Sequence, residues 1–218
     1  MSSLLFEKYR PASWEQVIGQ DKTVSALATI KTKYGLAGKA YFISGQSGTG
    51  KTTIARLIAA EIAEEWSTAE IDAQDLTLDY LRSMEEQFRF TSLGEKNGRA
   101  WIINEAHGMR GPIVSRLNTL LERIPAHVAV IFTTTIEGQD KLFDDYDDTS
   151  AFLSRCIPLP LSRRGLAEPF AQRLQQIAEM EGLDGQPTDF YIRATKDARN
   201  NMRTLLTTLQ SGAFTRKD

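Results

Sequence analysis

The chain has 218 residues, enough for one large domain or two small ones and for a core that needs no staples. Lys and Arg number 26 against 28 Asp and Glu, a formal charge of −2, which excludes a histone-like or tail-driven nucleic-acid binder and leaves local patches for any such contact. One cysteine, Cys156, excludes an intramolecular disulfide and a CxxC zinc cluster, and His107 and His127 are too few for a common His-based zinc site.

Residues 1–19 read as irregular, with Pro11 early and Gly19 late. A helix is expected over 21–34, with Val24, Leu27, Ala28 and Ile30 on its apolar side. The run AYFIS at 40–44, bounded by glycine, reads as a buried strand, and a glycine-rich turn at 45–52 leads into a helix over 51–65 with Ile54, Leu57, Ile58 and Ile62 inward. A second strand is expected at 69–73, a helix at 76–90, a turn at Asn97 and Gly98, a third strand at 99–104 and a helix at 111–124. A fourth strand follows at 128–133, an acidic, exposed loop at 138–150 and a fifth strand at 157–161. Strands alternating with helices imply a parallel α/β sheet. Beyond Leu161 the strands stop and three helices are expected, at 165–181, 188–197 and 201–210. The composition shift there divides the chain into an α/β domain of residues 1–161 and a helical domain of residues 162–218.

Gly45, Gln46, Ser47, Gly48, Thr49, Gly50, Lys51 and Thr52 fit GxxxxGK[ST] at every fixed position, after an apolar strand and before an amphipathic helix. Glycines let backbone N–H groups wrap phosphates, and the helix N-terminus adds partial positive charge. Lys51 is then placed for the β and γ phosphates and the Thr52 hydroxyl for Mg²⁺, and the nucleotide-binding set runs on to Thr53. Such a site needs a carboxylate beyond a second strand and a group that orients the attacking water. Trp101, Ile102, Ile103, Asn104, Glu105, Ala106 and His107 offer the best candidate, a buried strand that ends in a polar pair. Asn104 stands where Asp is usual; its amide can accept from a magnesium-bound water but brings no negative charge, so nucleotide binding is expected and turnover is left open. Glu105 is the candidate base.

These motifs, with Glu7, Lys8, Tyr9, Arg10 and Pro11 followed by Val17, Ile18, Gly19 and Gln20, make the sequence resemble the clamp-loader branch of the AAA+ ATPases, meaning replication factor C small subunits and the bacterial polymerase III gamma/tau subunit. The resemblance covers nearly all of the chain. It implies an AAA+ P-loop fold, a parallel sheet flanked by helices with a small three-helix lid after it, and ATP and Mg²⁺ as cofactors. It sets Tyr9, Arg10, Val17 and Ile18 around base and ribose. It makes Arg155, in the run Ser154, Arg155 and Cys156, an arginine finger for a neighbouring subunit. It places a sensor at Thr135, with Thr134 next, and a second at Arg203 beyond Asn200 and Asn201. Three departures stand out: Asn104, a cysteine-bound zinc module missing relative to gamma, and a helical collar domain that would begin where the chain ends at Asp218. The last implies either a chain cut at that point or a short relative, such as one from a phage. The acidic segment 137–148 also lengthens the loop before Ser154.

The resemblance further implies partners: other clamp-loader subunits in a homo- or hetero-oligomer (a pentamer in the family), a sliding clamp and primer–template DNA. Arg110, Arg116 and Arg123, on or beside one helix, are candidates for phosphate contacts, with a solvated helix face as the alternative. No apolar run approaches the ~18 residues of a membrane span, and residues 1–10 lack a signal-peptide layout, so no membrane and a bacterial or phage-infected host cytoplasm are expected. Three functions remain open at this point: an ATPase subunit of a clamp-loader-like complex, a subunit that holds ATP but barely hydrolyses it, and another AAA+ remodeller such as a helicase loader.

Overall fold

The computed structural model of the protein describes residues 4–135 and 149–215. The chain divides into a sheet unit, Lys22–Gly45 with Lys51–Leu161, and a helical unit, Met1–Asp21 with Gln46–Gly50 and Ser162–Asp218.

The sheet unit is built on β1 (Lys39–Ser44), β2 (Ala63–Asp72), β3 (Gly98–Asn104), β4 (Val128–Thr134) and β5 (Cys156–Pro160). Every pairing between these strands is parallel, in the order β2-β3-β4-β1-β5. All seven residues of β4, the central strand, are buried, as expected of a parallel strand covered on both faces; its sequence is therefore a continuous apolar run rather than an alternating one. One face carries Phe42, Trp101, Ile103, Val130 and Phe132. Against it pack Leu81 and Met84 of α4 (Leu78–Gln87), Val114 and Leu117 of α5 (Gly111–Leu121) and Phe152 of α6 (Thr149–Ser154). Phe152 meets Phe132 and Phe42 edge-on, with ring centroids 4.8 and 6.0 Å away. On the other face α3 (Lys51–Ile62) lies against β3 and β4 and buries Ile54, Leu57 and Ile58.

The helical unit packs α7 (Ala167–Glu181), α8 (Thr188–Asp197) and α9 (Met202–Gln210) around Leu174, Ile177, Tyr191, Leu206 and Leu209. A short helix, α1 (Leu5–Lys8), joins this core through Leu5, whose N–H donates to Gln210 Oε1 at 3.0 Å. The remaining helix, α2, spans Asp21–Tyr34.

Several boundaries depart from expectation. The helix expected over 51–65 stops at Ile62, and β2 begins at Ala63 rather than at 69. Residues 63–65 are Ala and two Glu, good helix formers, but Ala63 pairs with Gly98 and Asn97 and Ser67 Oγ bonds Ser92 Oγ, so non-local partners override local propensity. Helix α4 starts only at Leu78 because Thr77 caps it, its hydroxyl accepting from the Tyr80 N–H at 3.1 Å. The N-terminal stretch read as irregular contains α1, and Thr149 and Ser150, read as loop, open α6. Residues 138–148 of that expected acidic loop lie outside the described residues.

Gly98, read as a turn residue, opens β3 at a place where no side chain fits. A Cβ there would stand 2.5 Å from the Ile62 carbonyl oxygen and 2.9 Å from that of His127, both backbone atoms. Gly98→Ala is expected to cost about 1–3 kcal/mol, and a urea midpoint equal to that of the parent chain would contradict this packing.

Candidate functional site

Parallel pairing gathers the strand C-termini on one edge of the sheet. Ser44 is in register with Thr134, and Ile103 with Phe132, so β4 sets the end of β1 on one side of it and the end of β3 on the other. Gly45, Glu105 and Thr135 therefore follow three adjacent strand ends, with Asn104 closing β3. Ligand sites of open parallel sheets form at this edge.

Gly45 donates its N–H to the Thr134 carbonyl at 3.3 Å, and Lys51 Nζ donates to the Gly45 carbonyl at 3.0 Å. Lys51 is 8% exposed. A buried ammonium at the first turn of α3, where helix N–H groups lack intrahelical acceptors, is a cationic cradle that a polyphosphate fits. Thr52 and Thr53 follow in that turn. Within the helical unit, the Thr49 hydroxyl and N–H both donate to the Gln46 carbonyl, at 2.8 and 3.3 Å, and fold residues 46–50 into a tight loop. Gly48, at φ 78°, takes a conformation that favours glycine, and a Cβ on it would stand 2.1 Å from Asn201 Oδ1. Asn201 caps α9, its Oδ1 accepting from the Thr204 N–H at 3.3 Å, and Arg203 follows in the first turn with its guanidinium 5.5 Å from the Phe6 ring centroid.

At the end of β3 the amide of Asn104 is spent on both sides. Thr133 Oγ1 donates to Asn104 Oδ1 at 2.9 Å, and Asn104 Nδ2 donates to Glu70 Oε1 at 2.9 Å. Glu70 in turn accepts from Arg56 Nε and Nη2, at 2.8 and 3.1 Å. A carboxylate neighbour can only accept, so the amide nitrogen must face Glu70. Glu105 is half exposed, with its backbone in the left-handed region at φ 52°. Among the described residues no group of three His, Cys, Asp or Glu is placed to hold a metal alone. The donor set here, the Thr52 hydroxyl and one amide oxygen, fits a magnesium ion carried mainly by phosphate oxygens and water.

Arg155 lies elsewhere. It precedes Cys156, which pairs with Ala40 at the start of β1, so it sits at the sheet edge opposite to the phosphate turn. Its Nη1 donates to the Ala151 carbonyl at 2.6 Å and its Nη2 to the Glu122 carboxylate. That guanidinium holds the Glu122 carboxyl below its usual range. Of the nucleotide-base set, Tyr9 is tied to α7, its hydroxyl donating to Glu181 Oε1 at 2.5 Å beside Lys8 Nζ at 2.6 Å. Arg10 bonds Glu7, and Val17 and Ile18 are half-buried beyond a turn of 3-10 helix at Trp14–Gln16. Of the three arginines proposed for phosphate contacts, Arg116 is bonded to Glu85, while Arg110 and Arg123 are exposed.

Sequence reading expected Asn200 or Asn201 to cap this last helix, and Asn201 does so; it missed Glu70 altogether and assigned no contact to Thr133 or His107. Glu70 and Asn104 lie 34 positions apart, and only the pairing of β2 with β3 brings them together.

A strand–turn–helix phosphate cradle at the C-terminal edge of a parallel sheet, with an acid beyond a second strand, defines a nucleoside-triphosphate-binding P-loop protein. The chain belongs to the ATPase family associated with various cellular activities (AAA), which matches residues 41–153. It is 28% identical to the DNA polymerase III subunit gamma/tau of Mycobacterium tuberculosis, over 96% of this chain and 39% of that one. It is also 28% identical to the replication factor C small subunit of Thermofilum pendens, over 93% and 61%. The chain thus spans less than two thirds of either relative. Among solved structures, a RuvB protein of Thermotoga maritima shares the fold with a TM-score of 0.69 at 19% identity, covering 93% of this chain and 64% of that one. So does a DNA polymerase III gamma subunit-related protein of the same organism, at 0.56 and 13%, covering 86% and 60%.

Next to Arg155, burial pushes the Cys156 thiol up to about 12. The thiolate is the reactive form, so iodoacetamide at pH 8 is expected to leave Cys156 unmodified in the folded chain and to alkylate it in urea. Stoichiometric labelling of the native chain, read by intact-mass spectrometry, would contradict that burial.

Proposed function

We propose that the chain is an ATP-binding and ATP-hydrolysing AAA+ subunit of a clamp-loader-like DNA replication complex. It acts in the cytoplasm beside further subunits, a sliding clamp and primer–template DNA. The observation that carries this reading is the separation in the sheet unit: Lys51 and Glu105 belong to one edge of the sheet, and Arg155 to the other. A chain built this way offers a pocket at one edge and a guanidinium for another chain's pocket at the other. The likeness to gamma/tau and to replication factor C small subunits supports the placement in DNA replication. Among the described residues no helix is long and apolar enough to cross a membrane.

In this mechanism Lys51 and the N–H groups of the phosphate turn hold the β and γ phosphates, and the Thr52 hydroxyl, with the Asn104 amide oxygen through water, would hold magnesium. Magnesium, when bound, neutralises charge on the transferring phosphoryl group. Glu105 orients the attacking water and takes its proton. Arg155 of an adjoining subunit offsets the charge that builds on the γ-phosphate. Thr135 just beyond β4, or Thr134 at its end, and Arg203, at the start of α9, report the phosphate to the sheet and to the helices. Tyr9, Arg10, Val17 and Ile18 line the base and ribose. Along the sequence the nucleotide-binding domain is residues 1–161 and the lid residues 162–218, although residues 1–21 cluster with the helical unit. Arg110 and Arg123 are the remaining candidates for DNA phosphates.

One observation favours a second reading, a subunit that holds ATP as a scaffold and finger donor without appreciable turnover. Asn104 is neutral, and both ends of its amide are engaged within the protein.

Uptake of labelled ATP with Mg²⁺ by the purified chain, and turnover with its cognate subunits and primed DNA, test both. Lys51→Ala is expected to abolish uptake. Arg155→Ala is expected to retain uptake while turnover falls by about 10³-fold or more. Uptake that survives Lys51→Ala would end the proposal, and turnover that rises only on Asn104→Asp would favour the scaffold.

A further inference from the structure

The backbone at Glu105 takes a conformation that non-glycine residues adopt at a cost, with φ 52° and ψ 51°. Its carbonyl accepts from the Gly108 N–H at 2.7 Å and closes a short turn that carries His107. His107 Nδ1 then lies 3.2 Å from Thr134 Oγ1 and 3.4 Å from Glu105 Oε2. Thr134 is fully buried, and its hydroxyl donates to the Thr135 carbonyl at 3.3 Å. A hydroxyl has one proton, so Thr134 Oγ1 is the acceptor toward His107, and His107 Nδ1 carries a hydrogen. A single N–H thus faces two acceptors: a hydroxyl at the end of β4 and the carboxylate beyond β3.

We propose that His107 is a positioning residue for Glu105. Its Nδ1–H passes between Thr134 and the Glu105 carboxylate, so the orientation of the candidate base is tied to the end of the strand next to the phosphate turn. The ring is well placed for this because Thr134 anchors it from the buried side, while the half-exposed Glu105 keeps freedom to rotate. A carboxylate accepts more strongly than a hydroxyl, so a small turn of the Glu105 side chain captures the donor and fixes the base. The role rests on the reading of Glu105 as the base in ATP hydrolysis.

The test uses the full chain with the subunits that co-purify with it, and measures ATP uptake, kcat and KM together. His107→Ala is expected to lower kcat about tenfold while KM for ATP stays at the parent value. His107→Asn, whose amide nitrogen can take the place of Nδ1, is expected to restore most of the rate. In the chain alone, ring-nitrogen NMR reads the contact without turnover, with His127 as internal control: Glu105→Gln and Thr134→Val should each move the His107 signals and leave those of His127. An unchanged kcat in His107→Ala, or His107 signals that neither variant moves, would overturn the role. ATP uptake without turnover in the parent complex would overturn it too and leave nucleotide binding standing. Failure of the parent chain to take up ATP would instead overturn the underlying function, and this role with it.

Discussion

The parallel pairing of β1 and β3 on either side of β4 is the constraint on which the site depends. In a parallel sheet every strand leaves at the same edge, so three loops that are remote in sequence emerge side by side. Gly45 is anchored there by its bond to the Thr134 carbonyl, and the Asn104 amide by its bond to Thr133. Two consecutive threonines at the end of one fully buried strand therefore hold the phosphate turn through one backbone carbonyl, and Asn104 and His107 through two hydroxyls. A slip of one residue in the β4 register would turn these hydroxyls to the opposite face and break the polar contacts together.

The electrostatics of this edge are unusual for the chemistry proposed. Lys51 brings a buried positive charge to the turn, while the residue at the end of β3 that ordinarily supplies a carboxylate is an amide. Glu70 stands within hydrogen-bond distance of that amide, and Arg56 bonds its carboxylate through two nitrogens. An aspartate at position 104 would place a second carboxylate against Glu70, which raises the cost of ionising both. Asn104 thus suits its neighbours as they stand: it donates to Glu70 where an aspartate would repel it. With no charge at position 104, Glu105 is the acidic side chain next in line beyond β3, and its orientation matters correspondingly more.

Much of this was legible in the sequence, and the reasons are physical. The phosphate turn is a local motif whose glycines, lysine and threonine are contiguous, so Gly45–Thr52 could be read without knowing the fold. Strands β1, β3 and β4 were legible because burial on both faces makes short apolar runs, the edge strand β5 was legible from its apolar residues although only part of it is buried, and α2 was read to its observed limits because Asp21 opens it and Gly35 follows its end. The start of β2 was not legible, since Ala63, Glu64 and Glu65 carry helical propensity and only the strand alongside makes them extended. The same holds for the polar contacts. Glu70, Asn104 and Thr133 lie on three different strands, and neither spacing nor composition relates them. Nor could the cap of α9 be seen to face Gly48, because that approach depends on tertiary packing within the helical unit.

The position of Arg155 follows from the same strand arithmetic that assembles the phosphate edge. Cys156 pairs with Ala40, and Pro160 with Ser44, so β5 runs alongside β1 and ends beside it. Arg155 lies before the first of these pairs and Gly45 after the last. At about 3.3 Å per residue the two are separated by roughly 20 Å along the strand direction. Arg155 is meanwhile held by the Ala151 carbonyl and the Glu122 carboxylate, both at its own edge. A guanidinium so placed cannot reach the phosphate turn of its own chain without dismantling β5. If it serves phosphoryl transfer, it serves the pocket of an adjacent subunit, and the Glu122 carboxylate is the group a neighbouring triphosphate must compete with. Under the proposed function, the parallel sheet that gathers the loops of the phosphate edge also exports the finger to the other edge and makes assembly a requirement of the chemistry.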